Sequence, residues 1–385
     1  MIPEPEIREL SQSLGVRLTH IEKDYVMGWL LWGISGDPFL RTELILKEGS
    51  ALRKLYFPDT RFSDDLDFTA RHQIAAEGFR DRLGHLQTRI TETAGIPFQP
   101  DLTRVDEKPT PDPEAHALDG RVYFRGFAGD SSLTFRIKFD VSPYERIVLP
   151  VQEHPVIHGF SDAGACAANV YGYSLEEILA EKLRSWIQRT RSRDLFDVAK
   201  IILSGRLPVS KRNILSTFFQ KTIFKDIPNV GRDELISQDK FDTVSTSWLE
   251  TIVCPVNAVI VAANAIATFV QFVNALFQPD VLAQIGRLSV AAAGFGRRIS
   301  SAVREAIITA GRARQLLQMR YDNRDRTIEP YSFRYKVRKS DGRGFEYFFG
   351  YDRTRGQTIK SFFVHEIQSV SILPDTFSPR FVVEF

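Results

Sequence analysis

The chain has 385 residues, a formal net charge of +2, and 25% charged against 43% hydrophobic residues. That profile excludes a disordered or fibrous protein and leaves room for two or three domains. Two cysteines, Cys166 and Cys254, are too few and too far apart for a disulfide scaffold or a metal knuckle. The charge is uneven. From Arg287 onward there are 18 Lys and Arg against 10 Asp and Glu, whereas residues 1–286 hold 32 against 38. The basic end either meets an anionic partner or is a solvated surface.

The opening MIPEPEIREL is acidic and lacks an apolar run, so no signal peptide is expected and the chain reads as cytoplasmic. Residues 1–40 read as helical. Ile21, Tyr25, Trp29 and Trp32 form one apolar stripe, with Glu22 and Asp24 expected in solvent or at caps.

Next, Leu44-Ile45-Leu46 reads as a short strand entering Gly49-Ser50 and a helix over 51–57. A second strand carries Asp65 and Asp67, which alternation puts on one face while Leu66 and Phe68 face a core. Paired carboxylates suit a hard cation such as Mg²⁺. Gly49 and Ser50, at the start of a helix, offer backbone N–H groups and a hydroxyl to a phosphate. Together these are the equipment of a metal-dependent nucleotidyltransferase.

A helix is expected over Ala75–Ala94, ended by Gly95 and Pro97, and residues 106–121 read as a loop. Leu133 to Val141 alternates as a strand with Asp140 on its polar face. Two-metal phosphoryl transfer needs at least three acidic ligands, and Asp140 is the candidate third. The plainer alternative pairs it with Lys138 or Arg136. Ser174 and Glu177 have the spacing of a capping box that opens a helix to about Gln188. Lys182 lies close to the buried stripe of that helix, and Lys182 and Arg189 project from one side. A further helix begins near Arg193-Asp194-Leu195-Phe196-Asp197, where an i, i+4 ion pair is the plain reading.

Gly-Ser-Ala-Leu-Arg-Lys (49–54) followed by Arg-Phe-Ser-Asp-Asp-Leu-Asp-Phe (61–68) resembles the AbiEii-type nucleotidyltransferases, toxins of type IV toxin–antitoxin systems. Ile-Glu-Lys-Asp-Tyr (21–25), and Glu-Lys-Leu (181–183) followed by Arg-Asp-Leu-x-Asp (193–197), fit the same family. Glu48 is a departure, standing where these proteins commonly have glycine. The resemblance implies a lysine for the triphosphate, here Lys182, and an aspartate needed for activity, here Asp194. It also implies an NTP substrate, an RNA acceptor such as a tRNA end, a cognate antitoxin and a role in phage defence.

Residues 207–288 read as helical. Thr251–Pro279 carries no charge, and Val256–Phe277 is long enough to span a bilayer, but Asn257, Asn264, Gln271 and Asn274 favour a buried helix over a membrane one. Ile299–Met319 reads as another helix. Short aromatic strands follow, over 331–338, 345–351, 358–364 and 367–373, with turns at Ser340-Asp341-Gly342 and Arg353–Gly356. Ile328-Glu329-Pro330-Tyr331, Glu346-Tyr347-Phe348 and Gly350-Tyr351-Asp352 resemble the WYL domain, an Sm-like barrel. His365-Glu366-Ile367 stands where that domain has Asp-Arg-Ile, which removes its ligand-binding arginine. Tyr351, Arg353, Arg355 and Lys360 remain as a surface for single-stranded nucleic acid, with a packing or dimerisation role as the alternative.

The expected architecture is α+β: a polymerase-β-like mixed sheet with flanking helices (1–205), a helical subdomain (206–290) and a small Sm-like β-barrel (291–385). The expected activity is NMP transfer from an NTP with Mg²⁺ or Mn²⁺. Gly49, Ser50, Lys182 and Arg189 would bind nucleotide, Asp65, Asp67 and Asp140 would hold metal, and Asp194 would assist. Two rivals are a catalytically inactive regulator that binds nucleic acid or nucleotide through its C-terminal domain, and a transferase that modifies an antibiotic.

Overall fold

The computed structural model describes the chain except residues 112–114, 207–209, 226–230, 249, 282–289, 292–300 and 338–343. It divides into two compact units, Met1–Val209 with Ser237–Phe272, and Ser210–Ile236 with Val273–Phe385.

The first unit is built on a seven-stranded mixed sheet. Its strands are β1 (Leu44–Leu46), β2 (Asp65–Ala70), β3 (Arg104–Pro109), β4 (His116–Arg125), β5 (Thr134–Ser142), β6 (Gln152–Pro155) and β7 (Asn169–Gly172), in the order β3-β4-β5-β2-β1-β7-β6. β2 runs parallel to β5 and antiparallel to β1. Alternation sorts the faces as expected. Leu66, Phe68, Ile137, Phe139 and Val141 are buried, and helix Ala76–Ala94 covers them, with Phe79 edge-on to Phe139. That helix stops at Gly95, whose φ of 69° is left-handed.

Three readings change. Residues 106–121 are not a loop: they contain most of β3 and the first half of β4. β3 is an edge strand with one neighbour and largely exposed side chains, so its charges and terminal Pro109 cost it little and hide it from a hydrophobic pattern. Glu22 and Asp24 are buried, not solvent-facing. Helix Leu18–Gly36 is covered on nearly all sides, and each acid has donors: Glu22 accepts from the N–H groups of Phe127 and Ala128, Asp24 from Arg53. The uncharged segment becomes a short turn at Val256–Ala258 and a helix over Ala262–Leu276. Ala265 and Phe269 are buried, while Asn257, Asn264 and Gln271 are exposed, so the amides mark a wetted face. No helix among the described residues is long and apolar enough to cross a membrane.

In the second unit, helix Ser301–Ala313 lies against a six-stranded antiparallel sheet. The strands are β8 (Val290–Ala291), β9 (Gln315–Tyr321), β10 (Arg324–Val337), β11 (Gly344–Asp352), β12 (Thr358–Phe363) and β13 (Ile367–Thr376), in the order β12-β11-β10-β9-β13-β8. The helix expected to reach Met319 ends six residues earlier, because Arg314 turns the backbone at φ 54° and Gln315–Tyr321 pairs as a strand. Val303, Ile307 and Ala310 pack on Leu317, Met319, Ile328 and Phe348. Among the described residues β12 and β8 are free edges, so the sheet is open rather than a closed barrel. The turn expected at 340–342 lies outside the described residues.

Candidate active site

Register brings the predicted acids together. Asp67 on β2 stands directly beside Asp140 on β5, and Asp65 beside Lys138. The row continues across the sheet, with Asp140 opposite Asp119 on β4 and Asp119 opposite Asp106 on β3. Four aspartates therefore line one polar face at one level, on strands about 4.8 Å apart. Asp119 was missed, because its segment reads as a loop. It is buried and ringed by cations, with Lys108 on its Oδ2, Arg121 at 3.2 Å and Lys138 at 4.0 Å.

Like charges raise the cost of ionising Asp67. Burial pushes its pKa up first and the Glu48 charge adds, with Asp140 and Asp65 behind, to about 7 despite Lys47 nearby. Burial also raises Asp65, against the pull of Lys138. A divalent cation would offset this charge, and the donors are hard oxygens of the kind Mg²⁺ takes. As the side chains stand, Asp140 accepts from Lys138 Nζ at 3.0 Å. Among the described residues no three acidic, imidazole or thiol groups are gathered tightly enough to hold a metal. A metal there would compete with Lys138 for the Asp140 carboxylate.

Beside β1 a second cluster assembles around Lys182, from helix Leu175–Arg189. Ser174 caps that helix, accepting from the Glu177 N–H, but the Glu177 carboxylate turns to the N–H groups of Val148 and Leu149. Lys182 is buried and meets three carboxylates: Glu48, Asp194 at 3.1 Å and Asp197 at 3.1 Å. Burial works against its charge, but these acids outweigh burial and raise its pKa. Arg189 Nε donates to Asp194 at 2.9 Å, and its Nη2 reaches Glu48 at 3.4 Å. Asp194 and Asp197 lie on helix Ser192–Leu203, one turn apart and both buried. Asp197 also takes both arms of Arg61, at 2.7 and 2.8 Å. Arg61 was visible inside the quoted motif, but nothing in the sequence paired it with Asp197, 136 positions away.

The β1 corner has its own geometry. Glu48 opens a short helix, Glu48–Ala51, at φ 58°, a left-handed conformation that costs a side-chain-bearing residue about 1 kcal/mol. Gly49 is buried, and a Cβ there would come within 2.5 Å of Arg61 Nη2, so the guanidinium's close approach requires glycine. The Ser50 hydroxyl is turned inward: it donates to the Lys47 carbonyl at 3.2 Å and accepts from the Asp67 N–H at 3.3 Å. Separately, a cavity of about 440 Å³ opens among Thr190, Arg191, Ser192, Arg193, Thr243 and Ser247.

The C-terminal candidates sit near the β11 end and the turn after it. Arg353 donates to Glu329 at 2.7 Å, and Lys360 reaches Asp352 at 2.9 Å, both carboxylates being fully buried. Arg380 stacks over the Tyr351 ring at 4.7 Å. Arg355 and Lys360 line a shallow cavity of about 560 Å³ with Tyr321, Arg326 and Phe362. Glu366 accepts from the Tyr321 hydroxyl.

A mixed sheet with an acidic row beside a buried cation cluster is the framework of a nucleotidyltransferase. The family described as Nucleotidyl transferase AbiEii toxin, Type IV TA system, matches residues 29–247, and the chain belongs to that family. It is accordingly a nucleotidyltransferase. Among solved structures the chain is similar to the nucleotidyltransferase toxin MenT4 from Mycobacterium tuberculosis, with 16% identity over 73% of this chain and 92% of that one, at a TM-score of 0.45. It is also similar to JHP933 from Helicobacter pylori, with 19% identity over 69% and 94% and a TM-score of 0.43. No curated protein matches.

Proposed function

We propose that the chain transfers a nucleoside monophosphate from an NTP to an RNA hydroxyl, such as a tRNA end, and that a cognate antitoxin restrains it. The observation that carries this reading is the juxtaposition of Asp67 with Asp140 at one register. Asp65, Asp67 and Asp140 would hold Mg²⁺ or Mn²⁺. Ions bound there would polarise the α-phosphoryl group and favour ionisation of the acceptor hydroxyl. Asp140 would take the acceptor's proton as the acceptor oxygen bonds to the α-phosphorus and the bond to the β-phosphate breaks. Lys182 and Arg189 would carry the charge of the departing pyrophosphate, with backbone N–H groups at Gly49 and Ser50 against the phosphates. Asp194, bonded to both cations, orients them. The Thr190–Arg193 cavity is a candidate seat for the nucleoside or the acceptor end.

Such a protein would act in the cytoplasm, where NTPs and RNA are available. The domain reading 1–205, 206–290 and 291–385 accompanies this proposal, as does a WYL-like role for the last segment. In that role Tyr351, Arg353, Arg355 and Lys360 would meet single-stranded nucleic acid. The rival, a catalytically inactive regulator, draws support from the inward Ser50 hydroxyl and from Asp140 resting on Lys138. One labelling experiment separates the two: each α-labelled NTP with Mg²⁺ and total cellular RNA. Label should reach RNA, and Asp67→Ala should remove it while the far-ultraviolet spectrum stays native. Nucleic-acid affinity without transfer, unchanged by Asp67→Ala, would establish the regulator instead.

A further inference from the structure

The cations assigned to the triphosphate already hold an anion, and it belongs to the chain. Glu48 accepts from Lys182 Nζ, and Arg189 Nη2 reaches the same oxygen, Oε2, at 3.4 Å. Only 13% of its side-chain surface is exposed. Its backbone is held at φ 58°, where glycine would be at ease. A residue in a strained conformation needs surrounding contacts to keep it there, and among the described residues the cations its carboxylate pairs with within 4 Å are these two. Carboxylate and phosphate compete for the same donors with the same charge-assisted hydrogen bonds.

We propose that Glu48 is a built-in competitor of the nucleotide's outer phosphates, its carboxylate holding Lys182 and Arg189 until a triphosphate displaces it. The proposal rests on the reading of Lys182 and Arg189 as triphosphate ligands. Its consequence is selective. A ligand that reaches these cations must displace Glu48, whereas a monophosphate, which ends short of them, displaces nothing. Glu48 therefore weakens NTP binding without weakening NMP binding, and sets the NTP concentration at which the protein begins to work. Removing it leaves Lys182 neutralised by Asp194 and Asp197 and frees the loop from its left-handed strain, so the fold should survive.

The test is calorimetric titration of the full chain, with Mg²⁺, against a non-hydrolysable NTP carrying a methylene bridge between its α- and β-phosphates, and against the matching NMP. Glu48→Gly and Glu48→Gln should each bind the triphosphate at least tenfold more tightly, about 1.4 kcal/mol. NMP affinity should stay within twofold of wild type. Adding Lys182→Met to Glu48→Gly should erase the gain. If the single variants bind the triphosphate equally or more weakly than wild type, Glu48 is a ligand or a structural residue and the competitor is overturned. If NMP affinity rises as much as NTP affinity, the effect is general electrostatics, and the proposal fails again. If neither wild type nor Glu48→Gly binds any NTP, the triphosphate reading falls and takes this proposal with it.

Discussion

In Asp67 the demands of stability oppose those of the proposed chemistry. Burial and three neighbouring carboxylates raise its pKa to about 7, so the folded chain holds a proton that the unfolded chain releases near pH 4. A raised pKa means that its stabilising share is complete below about pH 4 and is lost as pH rises through 7. Without divalent cations, wild type should therefore be less stable at pH 8 than at pH 5 as far as this group is concerned. Asp67→Asn should flatten the difference and gain roughly 1–3 kcal/mol at pH 8, less than the full shift implies because the side chain is partly exposed. Urea denaturation in chelator at both pH values checks this; a variant no more stable than wild type at pH 8 would refute it. Mg²⁺ should stabilise wild type and leave the variant nearly unmoved. The pairing of Asp65 and Asp67 was legible because alternation is local. The charge pressure was not, since it comes in part from Glu48 and Asp140, on segments that meet β2 only in the fold. Glu22 and Asp24 failed for the same reason: their periodic neighbours were read correctly, but their donors lie on other elements.

At the scale of elements, the loop between β1 and β2 is organised by one arginine. Arg61 spans from the Gly49 backbone to Asp197 and so ties the corner to helix Ser192–Leu203. A methyl group at position 49 would meet a guanidinium that two hydrogen bonds prevent from yielding. Gly49→Ala should therefore cost about 1–3 kcal/mol, although a short helix would otherwise welcome alanine. Thermal unfolding would measure it, and Arg61→Lys in the same background should recover part of the loss because a lysine has no fork to collide. An unchanged melting temperature for Gly49→Ala would show that the corner relaxes freely. The sequence offered the glycine only as a candidate for phosphate approach; that the Arg61 guanidinium approaches it was not legible. Strands with an apolar face, β2 and β5, could be read almost to the residue. The edge strand β3 could not, because edge strands are charged to resist pairing, and charge is also how loops look. The helix expected to run to Met319 failed at Arg314, where a non-glycine residue takes a left-handed turn that carries no sequence mark.

Over the whole molecule, the basic surplus after Arg287 overstates the charge available to a partner. Asp352 and Glu329 are fully buried and gather four cations: Arg326 and Lys360 on the first, Arg353 and Arg380 on the second. Buried acids need such partners, and removing a cation leaves a carboxylate uncompensated. Of the three basic residues proposed to meet single-stranded nucleic acid, only the Arg355 side chain has no carboxylate partner among the described residues. Each phosphate neutralised on a single strand contributes roughly −0.7 to the slope of log affinity against log salt. Were all three cations engaged, they would add roughly −2 to that slope; with Arg355 alone they add roughly −0.7. Binding of the full chain to an oligouridylate across a salt series should therefore lose about 0.7 from its slope in Arg355→Ala. Arg353→Ala should leave the slope in place and lower the stability of the C-terminal unit, because Glu329 loses a partner. A slope that drops equally in both variants would mean that the buried acids release their cations to the nucleic acid, and the basic surplus would then count in full.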